Sequence, residues 1–93
     1  EHEVESIKFH TLYGHLSEAS LIGKKVGDIV KKGEQIATLG LPPINGDYAP
    51  HLHFQIIINM EGKAGDYPGV CNKKTLSFYK SNCPDPNLLL KII

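Results

Sequence analysis

The stretch YAPHLHFQII, residues 48–57, decides how this chain is read. Alternation along a strand sends His51 and His53 to one face and Leu52, Phe54 and Ile56 to the other. Residues i and i+2 of a strand lie roughly 6.5–7 Å apart. Two imidazoles at that spacing can converge on one small object, such as a metal ion and its bound water. Pro50 fixes the backbone just ahead of the pair. Leu52, Phe54 and Ile56 are expected to enter the core and hold the strand. A lone H-x-H also describes a plain polar face with two titratable side chains, and spacing alone leaves both readings open.

Working outward, HEVESIKFHTLYGHLSEAS (residues 2–20) has strand character. Ile7, Phe9, Thr11, Tyr13 and His15 share one parity; Lys8, His10, Leu12, Gly14 and Leu16 share the other. Val4 breaks that parity, which predicts a bend at Glu5–Ser6. In LIGKKVGDIVKKGEQIATLG (residues 21–40), short apolar pieces alternate with the turn signals Gly23-Lys24, Gly27-Asp28 and Lys32-Gly33. That spacing predicts short strands joined by turns, with Asp28 as a turn residue. LPPINGDYAP (residues 41–50) reads as a loop, and a long loop beside a strand often borders a site. HLHFQIIINM (residues 51–60) is the clearest strand, and 59–70 is loop. NKKTLSFYKSN predicts a short helix capped near Asn72. CPDPNLLLKI is a proline-punctuated tail whose apolar end is expected to pack onto something. The fold class expected is all-β, mainly an antiparallel sheet or sandwich, with a short C-terminal helix.

Ninety-three residues make one small domain. A chain this size buries only roughly 60% of the surface it exposes when unfolded, so its stability leans on every buried group or on a partner. Lysines and arginines balance aspartates and glutamates at ten each, which points away from nucleic acid and from a membrane surface as partners. Cys71 and Cys83 are read as free thiols, since no C-x-x-C signals a redox pair or a zinc knuckle. No G-x-x-x-x-G-K-[S/T] phosphate loop is present. Among the five histidines, His15 in TLYGHL joins His51 and His53 as a possible site residue. A neutral histidine near a metal-bound water can act as general base or hydrogen-bond a developing oxyanion. His2 and His10 are read as surface or structural, and Tyr13 as core.

TLYGHLS, VGDIVKKGEQIATLG and PHLHFQI, in that order, resemble the lysostaphin-type zinc metallopeptidases, which include bacterial endopeptidases that cut peptidoglycan cross-bridges. The resemblance runs from Thr11 to Ile57. Its middle piece is shared with biotinyl and lipoyl carriers and some sugar-phosphotransferase proteins, but no M-K-M carrier motif occurs here. The resemblance implies an antiparallel β core, zinc as cofactor, and a peptide or peptidoglycan substrate. It implies that His53 is a zinc ligand, that His51 is the catalytic histidine handling the water proton, and that His15 is the second catalytic histidine, steadying the transition state. The family's other two ligands, a histidine and a nearby aspartate, lie upstream of the Y-x-H-L strand. Here only His2 and His10 precede it, and no aspartate precedes Asp28. The zinc site is therefore expected to be half present. Residues 1–63 are expected to form a metallopeptidase-like β domain, incomplete at its N-terminus and not a peptidase by itself, with 64–93 as a linker-like extension.

GDYPGVCNKKTLSFYKSNCPDPNLLL (residues 65–90) is similar to the segment joining such a domain to a class III, pyridoxal-phosphate-dependent aminotransferase in long bacterial chains. That similarity implies an alternative role as a non-catalytic accessory or interaction domain. The expected location is then cytoplasmic, with the cell envelope as the alternative. The expected partners are other domains of a longer chain, or a second copy pairing along a sheet edge.

Overall fold

The computed structural model describes residues 1–43 and 49–91; the INGDY part of the expected loop and the last two residues of the tail lie outside them, while Leu88, Leu89 and Leu90 of that tail, expected to pack, stand exposed. A hairpin opens the chain. Strands β1 (His2–Val4) and β2 (Ile7–Gly14) pair antiparallel, with His2 opposite Phe9, Glu3 opposite Lys8 and Val4 opposite Ile7. Glu5 and Ser6 between them take φ of 50° and 68°. Positive φ at both central residues is the type I′ pattern, whose twist matches the flanking strands. The bend expected at Glu5–Ser6 is thus a two-residue hairpin turn. Strand β3 (His53–Ile57) completes a three-stranded antiparallel sheet of order β1-β2-β3. The fold is mainly β with a short C-terminal helix, as the sequence pattern indicates.

Two compact units are formed. The first comprises Glu1–Leu12 and the chain from Phe54 onward. Its buried side chains are Ile56, Ile57, Tyr67 and one polar residue, Asn82. Ile56 and Ile57 face opposite ways on β3, so the end of this strand is covered on both faces. Helix α2 (Leu76–Asn82) delivers Asn82 into that core. The Asn82 amide nitrogen donates to the Asn59 carbonyl at 2.8 Å and to the Tyr67 hydroxyl at 2.7 Å. Its Oδ1 accepts from the Asn59 amide at 2.8 Å. The Asn82 carbonyl accepts from the Ile58 amide at 2.8 Å. Tyr67 in turn donates to Glu61. A buried amide is tolerable when its donors and acceptor are matched in this way.

Helix α2 begins later than expected. Its N-cap position is Thr75, whose amide donates to Asn72 Oδ1 at 3.1 Å. Asn72 closes the preceding turn instead of capping the helix. Helix α3 (Asn87–Leu90) is a single turn ended by Lys91 at φ 52°. Cys71 and Cys83 are both free thiols, Cys71 exposed and Cys83 half-buried.

The second unit is Tyr13–His53. Helix α1 (Glu18–Leu21) falls where strand character was expected. Ser17 redirects the chain: its side chain accepts from the Ser20 amide at 3.3 Å as an N-cap. The short strands expected between 22 and 38 are not formed by the described residues; turns take their place. In Lys25–Asp28 the Asp28 amide donates to the Lys25 carbonyl at 3.1 Å, and the Lys25 amide donates to Asp28 Oδ2 at 2.9 Å. Lys31–Glu34 repeats the device at 3.0 and 3.2 Å. The third residue of each turn is a glycine at positive φ, Gly27 at 97° and Gly33 at 82°, as type II turns require. Asp28 is the turn residue expected. Ile22, Val26 and Ile29 are 82%, 107% and 86% exposed. A strand register is pinned when one face is buried, and with these side chains in solvent the local turn bonds decide. Among the described residues no helix is long and apolar enough to cross a membrane.

Candidate active site

His15, His51 and His53 all belong to the second unit, and their rings meet there. The His15 and His51 ring centroids are 4.5 Å apart with planes tilted by 40°. His15 and His53 are 5.7 Å apart, tilted by 57°. These are the three histidines the sequence singles out. His2 and His10 lie in the first unit. There the His2 ring stacks on Phe9 at 5.2 Å and bonds the Thr11 hydroxyl at 2.8 Å. Partial burial, the nearby amino terminus and His10 hold the His2 pKa below its usual value.

Each of the three rings arrives by a route that alternation alone does not describe. His15 is not in β2, which ends at Gly14. Its φ is 62°, in the left-handed region that costs a residue with a Cβ about 1 kcal/mol. That backbone takes the ring out of strand alternation, and Tyr13, its parity partner and an expected core residue, is 38% exposed. His51 precedes β3 and lies in exposed, irregular chain, whereas half-buried His53 is the first residue of the strand. The expectation that one strand carries both histidines is corrected to that extent, and Leu52 between them is 50% exposed instead of core. The His51 ring is oriented by a bond of 2.7 Å from Nδ1 to the Ala49 carbonyl. A carbonyl only accepts, so Nδ1 carries the proton, and in the neutral ring the lone pair lies on Nε2. That is the tautomer a general base at Nε2 requires.

Backbone around the cluster is held by an antiparallel bridge between Leu16 and Leu39. The Gly40 amide donates to the His15 carbonyl at 2.7 Å, and the Ser17 amide donates to the Thr38 carbonyl at 2.8 Å. Gly14 makes room for His53: a Cβ added there would lie 3.1 Å from His53 Cβ and 3.5 Å from its Cγ. Sequence reasoning missed Gly14, Gly40 and Ala49, because each acts through its backbone or through a missing side chain.

A catalytic zinc takes three protein ligands and keeps an open position. The cluster offers imidazole nitrogens alone. Among the described residues no group of three or more His, Cys, Asp or Glu side chains is placed to hold a metal ion. The described residues therefore do not by themselves fit a three-ligand zinc.

Residues 3–66 match the family model of Peptidase family M23. The chain belongs to that family, in agreement with the lysostaphin-type resemblance of its motifs. Peptidases of this family are generally zinc-dependent. Searches of the curated proteins and of the solved structures return no match.

Proposed function

We propose that this chain is a fragment of a zinc-metallopeptidase-like domain that carries part of the site and is not a peptidase by itself. In this reading His53 supplies one metal ligand, and the remaining ligands come from outside the described residues. His51 handles the proton of the attacking water, and His15 steadies the transition state. The observation that carries the reading is the meeting of the three imidazoles, with the His51 ring oriented by its Nδ1 bond to the Ala49 carbonyl. The substrate class is a peptide bond, in a glycine-rich cross-bridge or a peptidoglycan stem. The test is a metal and activity measurement on the purified chain, never exposed to chelator, beside His53→Ala. Zinc well below one equivalent and no cleavage of a pentaglycine peptide are expected. One zinc per chain, lost in His53→Ala, with cleavage abolished by His51→Ala, overturns the claim that the chain alone is inactive.

A second reading is favoured by the lack of a three-donor group among the described residues. In it the domain is a non-catalytic, cytoplasmic module of a multidomain class III aminotransferase. Its partners are then further domains of the longer chain or a second copy, docked where apolar side chains such as Val26 and Ile29 stand exposed. The full-length protein separates the two readings: proteolysis that depends on His51 sinks the second, and aminotransferase activity without proteolysis supports it.

A further inference from the structure

We infer that Gly40 is a positioning residue for His15: by lacking a side chain, it lets its own backbone press against the carbonyl groups of His15 and Leu16 and hold the His15 imidazole in the cluster. The inference rests on the reading of His15, His51 and His53 as one site, and it concerns what builds that site.

Three observations converge on it. Gly40 is buried, and its amide donates to the His15 carbonyl at 2.7 Å. A Cβ at position 40 would lie 2.8 Å from the Leu16 carbonyl oxygen, 3.0 Å from the His15 carbonyl oxygen and 3.1 Å from the Leu16 carbonyl carbon. All three atoms are backbone, so no flexible side-chain end can swing away. His15 itself stands at φ 62°, a conformation that persists in a residue with a Cβ only when its surroundings over-determine it. The contact supplying that constraint is the two-stranded clasp of Leu16 on Leu39, closed at one end by Gly40 N–H to His15 and at the other by Ser17 N–H to Thr38.

These contacts separate Gly40 from the turn glycines of the same unit. Gly23, Gly27 and Gly33 have positive φ and open space where a Cβ would stand, so turn geometry accounts for them. Gly40 has no positive φ to explain it; close backbone approach does. A methyl group there must push the carbonyl groups of Leu16 and His15 away. One of the displaced carbonyls is that of His15 itself and the other follows it directly, so the shift reaches the backbone that carries the His15 ring, whose centroid lies 4.5 Å from that of His51 and 5.7 Å from that of His53.

The test is Gly40→Ala in the full chain labelled for NMR, with no metal or substrate added. In the unsubstituted chain, ring-to-ring Overhauser effects between His15 and His51 are expected from their 4.5 Å separation. In Gly40→Ala these are expected to fall severalfold, while the signals of Tyr67 and Asn82 in the other unit keep their positions. Thr38→Ala, which removes the hydroxyl bonded to Ser17 at 2.7 Å and leaves the backbone clasp intact, is expected to retain the ring contacts. A role in stability alone would leave the ring contacts of folded Gly40→Ala unchanged, and that result overturns the inference. Should Gly40→Ala not fold, the unsubstituted chain decides. A scalar coupling across the hydrogen bond from the Gly40 amide nitrogen to the His15 carbonyl carbon is expected, and its absence is equally fatal. Because the readout is ring geometry, failure of the peptidase reading leaves the result standing, and failure here leaves zinc binding and hydrolysis to their own assays.

Discussion

Tyr67 shows how one side chain carries both burial and charge. Its hydroxyl lies between the Glu61 carboxylate and the Asn82 amide. Burial first, then the bond to Glu61, push its pKa up to about 12, with Asn82 opposing. The sign follows from linkage: the folded value exceeds the unfolded value of 10.0, so this contribution to stability is complete below that pH. It is lost as pH rises from there toward about 12. In an ultraviolet titration, one of the four tyrosines is expected to ionise last, and Tyr67→Phe is expected to remove that late step. The cysteines make a second contrast at this scale. Burial pushes the Cys83 thiol up, with the charges of Glu61 and Cys71 adding and the Gln55 amide, 3.8 Å from Sγ, opposing. Reactivity follows the thiolate. Exposed Cys71 is therefore expected to take up iodoacetamide well before Cys83 in the folded chain, with equal rates in denaturant; mass mapping of the labelled peptides reads the order.

Among the elements, the β1–β2 hairpin is the least matched to its sequence. A type I′ turn favours Asn-Gly, yet Glu5 and Ser6 occupy it at positive φ. Ser6→Gly removes a left-handed penalty and is expected to stabilise the chain by about 1 kcal/mol, seen as a higher urea midpoint at unchanged slope. A lower midpoint would mean that the turn is not type I′. The closing end of β2 makes the opposite demand. Gly14 faces His53 so closely that Gly14→Val must displace the His53 ring or the strand end. That variant is expected to lose the His15–His53 ring contact in NMR while the paired residues of β1 and β2 keep their cross-strand contacts.

For the whole molecule, stability concentrates in few places. In the described residues the buried side chains are three apolar groups and Asn82, and folded domains keep only about 5–15 kcal/mol in hand. Asn82→Leu leaves the Asn59 amide and carbonyl and the Tyr67 hydroxyl without their partner. The Asn59 groups sit at an exposed residue and can turn to water, and the Tyr67 hydroxyl keeps Glu61, so the loss is that of the matched bonds, about 1 kcal/mol each. The substitution is expected to remove about 1–3 kcal/mol, measured as a lower midpoint of the thermal transition at neutral pH. A leucine tolerated without change would show that the amide merely fills space.

The sequence by itself determined the fold class and the bend at Glu5–Ser6, and it singled out the three histidines whose rings meet. Alternation in IKFHTLYG and the apolar run that ends HFQII, buried on both faces, are local signals of strand, and imidazoles are identified by type. It misread residues 17–38 because exposed apolar side chains there mimic strand spacing, while Ser17, Gly27 and Gly33 set a cap and turns through local hydrogen bonds. Asn82 was legible as a helix end but not as the buried centre of a polar network, since its partners lie 15 and 23 residues away. What only the tertiary structure decided is how the site is held. The φ of His15, the tautomer of His51 and the space beside His53 depend on the Gly40 amide, the Ala49 carbonyl and the absent side chain of Gly14. Backbone contacts carry no residue signature, so these supports became visible only once the chain had brought them together.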